Sequence, residues 1–295
     1  MRFERSGQSQ YSIVSFRGNR VAVDVKQQME GMAVLKPAGF IEIGGDRLEY
    51  LHHGPQPADA PALVLLHEGL GSAHLWGDFP ARLAEATGLG VFAFSRRGYG
   101  ASSPYPLPWP YSYMHDEARE VLPRVLDAIG LRRGVLVGAS DGASIATIYM
   151  GSVRDERIAG LVLIAPHFIV EDETAAGAVA AKAMFEQGDL KPKLARWHRD
   201  VEIAFYGWND TWTKPDFKES WNICEYLPAI GVPIRILQGE RDEYATVAQI
   251  RIAESACTCP VEATMMPGIG HSIFRESPED TTAAVVAFAA RVLGS

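Results

Sequence analysis

Short apolar runs alternate with helically spaced stretches along most of this chain. "ALVLLHEG" precedes "HLWGDFPARLAEATG", "GVFAFS" precedes "HDEAREVLPRVLDAIG", and "GVLVG" precedes "DGASIATIYMGSV". "IAGLVLIAP", then "PIRILQG" with "EYATVAQIRIAES", then "VEATMMPG" with "PEDTTAAVVAFAARVL", continue the order. A run without a polar side cannot turn one face to water, so each is expected to be a strand covered on both faces by helices. That pattern predicts an α/β fold with a mostly parallel sheet. Ahead of it, "GFIEIGGDRLEYLHHG" alternates apolar and polar residues on both sides of Gly44-Gly45, as two strands joined by a tight turn would.

Two segments depart from the alternation. Residues 1–37 have no clear period and read as an N-terminal extension without an assigned role, which leaves open an appended segment, an extra strand or a misplaced start. Residues 169–222 combine helical spacing with Trp197, Phe205, Tyr206, Trp208, Trp212 and Trp221, and are expected to form a helical cap over a core made of 38–168 and 223–295. At 295 residues the chain can bury a large core without metals or disulfides. Its net charge of -8, with no long Lys/Arg run, argues against a nucleic-acid partner. No stretch has the length of a membrane span, and the first residues lack a secretory signal pattern, so a cytoplasmic location is the expectation. The odd set Cys224, Cys257 and Cys259 lacks zinc spacing and reads as buried or idle thiols.

In open parallel sheets ligands bind beyond the carboxyl ends of the strands, so the residues after each apolar run carry the chemistry. Gly138-Ala139-Ser140-Asp141-Gly142 fits G-x-S-x-G between a strand and a helix, where a sharp turn lifts a serine hydroxyl clear of the sheet. Side chains at either glycine would collide with the neighbouring strand and helix. Ser140 is therefore the candidate nucleophile, and the helix opening at Asp141 aims free N–H groups at a developing negative charge. His271, in "GIGHS" after the last strand, is the candidate base. His52 and His53 beside the hairpin, and His115 and His198 on presumed helical faces, read as structural or solvated. His167, at the entrance to the insertion, is expected to line the pocket with Trp208 and Trp212. Asp242 in "GERDEY" is the preferred support for the base, ahead of Glu240, Glu243, Glu171 and Asp172. Backbone donors for an oxyanion are expected from Asp141 and from "HEGLGS", with Gly69 before Glu68. Gly69-Leu70-Gly71 does not continue as a dinucleotide fingerprint, because His74 occupies the next small position.

Taken in order, "LLHEGLGSAHLW", "SRRGYGAS", "VGASDGAS", "GERD" and "GIGHS" resemble the α/β-hydrolase fold superfamily over residues 39–295. The resemblance implies an eight-stranded type of sheet flanked by helices, with Ser140, Asp242 and His271 in the family's order. The chain departs from the family at Ser95, where Asp is usual, at Glu68, which splits the histidine-glycine pair, and at Ala143, where a second glycine is usual. The function expected is a serine hydrolase cleaving an ester, lactone or thioester in a small molecule, with no metal or organic cofactor. Carbon-carbon bond hydrolysis of ring-cleavage products, or ligand reception on the same fold, are the alternatives. Asp141, an acid beside the nucleophile, is expected to turn away or to bind a polar substrate group. On that reading Asp141→Asn would keep the fold and change substrate preference.

Overall fold

The computed structural model describes residues 11–16, 19–24 and 34–294. Strands β1 (Tyr11–Phe16) and β2 (Asn19–Asp24) pair antiparallel, Tyr11 opposite Asp24. They belong to a compact unit of their own, residues 1–34. The rest of the expected 1–37 extension, at residues 1–10, 17–18 and 25–33, lies outside the described residues. The lack of a clear period there thus conceals an antiparallel strand pair.

Residues 35–295 form the second unit, which includes the expected cap segment. It opens with β3 (Ala38–Ile43) and β4 (Asp46–His53), joined by Gly44-Gly45 with Ile43 paired to Asp46. Both glycines take positive φ, 61° and 94°, which residues with a Cβ rarely do. The alternation then follows as read: β5 (Ala62–Leu66), α1 (Phe79–Thr87), β6 (Gly90–Phe94), α2 (Tyr113–Asp116), α3 (Leu122–Ala128), β7 (Gly134–Ala139), α4 (Asp141–Ser152) and β8 (Ile158–Ile164). Four helices occupy the insertion: α5 (Asp172–Gln187), α6 (Leu190–Leu194), α7 (Val201–Trp212) and α8 (Pro215–Ser220). The chain closes with β9 (Ile234–Gly239), α9 (Val247–Ala256), β10 (Val261–Met266), α10 (Ile273–Glu276) and α11 (Pro278–Leu293).

The eight strands β3 to β10 make one sheet in the order β10-β9-β8-β7-β5-β6-β4-β3. All neighbours are parallel except at the β3 and β4 edge. Every residue of β5, β6 and β7 is buried, as continuous apolar runs require when helices cover both faces. The chain passes from β5 to β6 on one side and returns to β7 on the other. That reversal opens a crevice beyond the ends of β5 and β7. No helix among the described residues is long and apolar enough to cross a membrane.

One expected helix is not continuous. "HDEAREVLPRVLDAIG" runs through α2, a π turn over Glu117–Val121, and α3. Pro123 has no N–H to donate four residues back to Arg119, so the ladder widens there.

α4 packs so close to β5 that Gly142 has no room for a side chain. A Cβ there would stand 1.9 Å from the Leu66 carbonyl oxygen, and one on Gly138 would stand 2.3 Å from that of Gly142. At Gly231 the same atom meets nothing within 4 Å. Gly142→Ala is therefore expected to destabilise by about 3 kcal/mol, the upper range for overpacking, while Gly231→Ala leaves the unfolding midpoint near wild type. Chemical denaturation of both variants checks this.

Candidate active site

Ser140 sits between β7 and α4 with φ 51° and ψ -115°, outside the regions that residues with a Cβ favour. A serine opening a helix ordinarily accepts from the first free N–H groups. Ser140 makes no such bond, so the strained backbone leaves its hydroxyl uncommitted. The strain costs on the order of 1–3 kcal/mol and is sustained by the packing around Gly138 and Gly142.

His271 lies in the loop between β10 and α10. Its Nδ1 stands 2.9 Å from both carboxylate oxygens of Asp242. Gly239, at the end of β9, allows this approach, since a Cβ there would stand 2.2 Å from the Gly270 carbonyl oxygen. Asp242 is held in turn by Gln238 Nε2 at 2.7 Å and by the Tyr244 and Ala245 amides at 2.8 and 3.2 Å. Burial works against the imidazolium form of His271, but the hydrogen bond and charge of Asp242 outweigh it, so the ring's pKa is raised above its ordinary value. Burial also opposes the charged form of Asp242, and bonds from His271 and the Tyr244 amide hold its pKa below the usual one. With Nδ1–H donated to Asp242, the neutral ring keeps Nε2 as its acceptor.

The other acids considered for this position are committed elsewhere. Glu240 accepts from the Gly268 amide at 2.8 Å, and Glu171 accepts from Thr246 and Gln249. Exposed Asp172 pairs with Lys218, and Glu243 meets the backbone N–H of His271 at 3.4 Å rather than its ring.

The loop after β5 turns at Glu68–Gly71, where the Gly71 N–H donates to the Glu68 carbonyl at 3.0 Å. Gly69 must be glycine because a Cβ would strike Trp208 Nε1 at 2.2 Å. Neither the Gly69 nor the Asp141 amide donates to a described residue. The turn is fastened from below by Arg96, whose guanidinium donates to the His67 carbonyl and, at 3.2 Å, to that of Glu68. His67 donates Nδ1–H to the Glu68 carbonyl at 2.7 Å and accepts the Arg96 amide at Nε2, 3.1 Å away. Burial and the neighbouring Arg96 hold its pKa well below the ordinary imidazole value, which keeps that tautomer neutral. His198, read from sequence as lying on a helical face, instead sits buried in the irregular chain between α6 and α7. Its Nδ1 accepts the Gly100 amide at 3.0 Å, and its Nε2 lies 3.2 Å from the Leu70 carbonyl.

Asp141 takes the first of its two expected arrangements: its carboxylate turns into the protein and is fully buried. Oδ2 accepts from Tyr113 Oη at 2.6 Å and stands 3.6 Å from Arg96, while Trp212 Nε1 donates to the same Tyr113 oxygen at 2.9 Å. Burial raises its pKa against the opposing charge of Arg96.

Ser140, His271, Glu68, Gly69, Asp141, His167, Trp208 and Trp212 all line one cavity of about 330 Å3. The His167 ring lies 5.5 Å from that of His271 at 23°, and burial pushes its pKa down to about 3. A neutral ring thus stacks beside the charged or chargeable one. Ala178, Ala181 and Met184 of α5, with Leu190 and Leu194 of α6, form an apolar wall. Trp197 and Trp221 are not part of the lining; Trp197 is exposed and Trp221 is buried against Phe217. Sequence reasoning passed over Arg96, Tyr113, Tyr244 and Arg275. Arg96 and Tyr244 stood inside quoted motifs, and their signal was only adjacency. Arg275 pairs with Glu68 Oε1 at 2.6 Å across the cavity mouth. The three thiols are free and half-buried, and burial pushes that of Cys257 up to about 12.

Residues 63–285 match the alpha/beta hydrolase family. Proline iminopeptidase of Lactobacillus helveticus is 33% identical over 106 residues, 36% of each chain, so the match spans about a third of that relative's length. Carboxylesterase YbfK of Bacillus subtilis is 26% identical over 253 residues, 79% of this chain and 81% of that one. The crystal structure of the same esterase superposes with a TM-score of 0.65 at 23% identity, covering 89% of this chain and 94% of the other, which shows a shared fold.

Three outcomes follow from these contacts. NMR titration of His271 should give a pKa above the ordinary value of about 6.5, falling in Asp242→Asn. Folding then favours the protonated ring, so this contribution to stability is complete below the unfolded pKa and is lost as pH rises through the folded one. Asp141→Asn should lower stability by about 3 kcal/mol, because it leaves the buried Arg96 without its counter-charge. Tyr113→Phe should cost about 1–3 kcal/mol, since Asp141 and Trp212 lose their shared partner. Denaturant melts read both.

Proposed function

Because the chain belongs to the alpha/beta hydrolase family, we propose that it is a serine hydrolase cleaving small carboxylic esters, lactones or thioesters through an acyl-enzyme. The observation that carries the reading is Ser140, strained and uncapped, opening into the cavity that also holds the His271–Asp242 pair. Ser140 Oγ attacks the carbonyl carbon while His271 Nε2 takes its proton. Asp242 holds the ring in the tautomer that leaves Nε2 free and stabilises the imidazolium that forms. The Asp141 and Gly69 N–H groups, aided by the N-terminus of α4, stabilise the oxyanion. His271 then delivers the proton to the departing alcohol or thiol. Water, activated by the same ring, attacks the acyl carbon and releases the acid and Ser140.

The apolar wall from α5 and α6 favours an aliphatic or aromatic group, because such surfaces exclude water from hydrocarbon and give no polar partner. The likeness to carboxylesterase YbfK over most of both chains supports ester substrates.

A fluorophosphonate should label the wild-type chain at Ser140 and leave Ser140→Ala unlabelled. On 4-nitrophenyl esters Ser140→Ala should lose roughly 10^4-fold or more in kcat; undiminished turnover in that variant overturns the mechanism. The rate should fall on the acid side as His271 protonates, with an apparent pKa above the ordinary imidazole value. Asp242→Asn should move that limb to lower pH and reduce kcat by roughly 10^4-fold. Faster cleavage of prolyl 4-nitroanilide than of any ester would move the substrate class to N-terminal amides, in line with the iminopeptidase relatives.

A further inference from the structure

A second cavity, of about 270 Å3, shares no lining residue with the Ser140 cavity. The Arg96–Asp141–Tyr113 cluster separates them: Asp141 lines the first, and Arg96 and Tyr113 line the second. Its rim is the half-buried Asp46, Arg97, Tyr105 and Asp116 with exposed Glu120, and its floor is the buried Tyr99, Trp109, Tyr113 and Glu117. The opening therefore leads from solvent down to aromatic faces and a carboxylate.

Both arginines of this cavity are already engaged. Arg97 pairs with Asp46 at 2.9 Å and lies 4.0 Å over the Tyr105 ring. Arg96 is held by Asp141 and by the carbonyls of His67 and Glu68. Asp116, Glu117 and Glu120 form no ion pair with a described residue, and the cavity keeps an excess of carboxylate. Glu117 is 7% exposed, and its Oε1 is buried without a hydrogen-bond partner; the Tyr99 hydroxyl, at 1% exposure, is likewise unpartnered. A buried polar atom without a partner costs about 1–3 kcal/mol, so two of them in the floor of one open cavity call for a ligand that satisfies them. Burial pushes Glu117 up to about 7 against the opposing charges of Arg96 and Arg97. An ionised Glu117 is thus what a bound positive charge would stabilise. The residue also begins the π turn at Glu117–Val121, a local irregularity frequent at binding and catalytic sites.

We propose that this cavity is a second binding site, for a small organic cation with an N–H donor and an aromatic body, such as a primary arylalkylammonium. The ammonium donates to Glu117 Oε1 and Tyr99 Oη, and the rings of Tyr105 and Trp109, stacked on each other at 5.3 Å, border its apolar part. The ligand lies against Arg96, the residue that fastens the Glu68–Gly71 turn. The site is independent of the reaction assigned to Ser140.

The test is calorimetric titration of the full chain with 2-phenylethylammonium chloride, with 2-phenylethanol as its uncharged counterpart. Saturable binding is expected for the ammonium and binding weaker by about tenfold or more for the alcohol, the scale of one charge-assisted hydrogen bond. Glu117→Gln, close to isosteric, should weaken the ammonium by a similar factor. Glu68→Gln, which alters the Arg275-paired acid of the other cavity, should leave its affinity unchanged. If Glu117→Gln does not fold, as judged by circular dichroism, Tyr99→Phe carries the same comparison. Absence of binding to the wild-type chain, equal affinity for the alcohol, or loss of affinity in Glu68→Gln instead of Glu117→Gln each overturns the proposal.

Discussion

The close contact between the start of α4 and the end of β5 is the constraint on which the site depends. Gly142 lies where any Cβ would overlap the Leu66 carbonyl, and Gly138 where one would overlap Gly142 itself. With both positions bare, the backbone can turn so sharply that Ser140 takes a positive φ and its hydroxyl leaves the helix it opens. The same contact brings the first N–H groups of α4 beside the loop that follows β5. Almost all of α4 from Asp141 to Met150 is buried. Apolar burial of that extent, at roughly 25 cal/mol per Å2, readily offsets local strain of on the order of 1–3 kcal/mol.

Electrostatics beneath this turn explain how an acid can sit next to the proposed nucleophile. Asp141 faces Arg96 and Tyr113 in the interior, so its charge is met by a guanidinium and a hydroxyl rather than by a developing oxyanion. Arg96 in turn binds the two carbonyls that begin the Glu68–Gly71 turn. A single buried cation therefore couples the position of the α4 N-terminus to that of the Gly69 amide. Elsewhere in the site, buried Asp242 and half-buried His271 form a second pair, with the neutral His167 stacked alongside.

Periodicity made the order of strands and helices legible because burial on both faces demands unbroken apolar runs, and the loops after those runs held Ser140, Asp242 and His271. The break in the α2 and α3 stretch was signalled by Pro123, which stands mid-way along it and cannot donate back to Arg119. The pairing of β1 with β2 was legible only as a possible extra strand, for lack of a strong alternation. His198 was misplaced because its neighbours suggest a helix, whereas its bonds to Gly100 and Leu70 join segments distant in the chain.

By itself the amino-acid sequence determined the parallel sheet, the turn that bears Ser140 and the strand ends where chemistry could collect, because these follow from local patterns of apolar and glycine residues. Only the tertiary structure decided that Asp242, and not Glu240, Glu243, Glu171 or Asp172, meets the His271 ring, and that the Asp141 carboxylate points inward. It alone placed Arg96 under the Gly69 loop and set Glu117 in a cavity of its own. Each of these depends on the distance between side chains far apart in sequence, and that distance is set by packing, which no local pattern encodes.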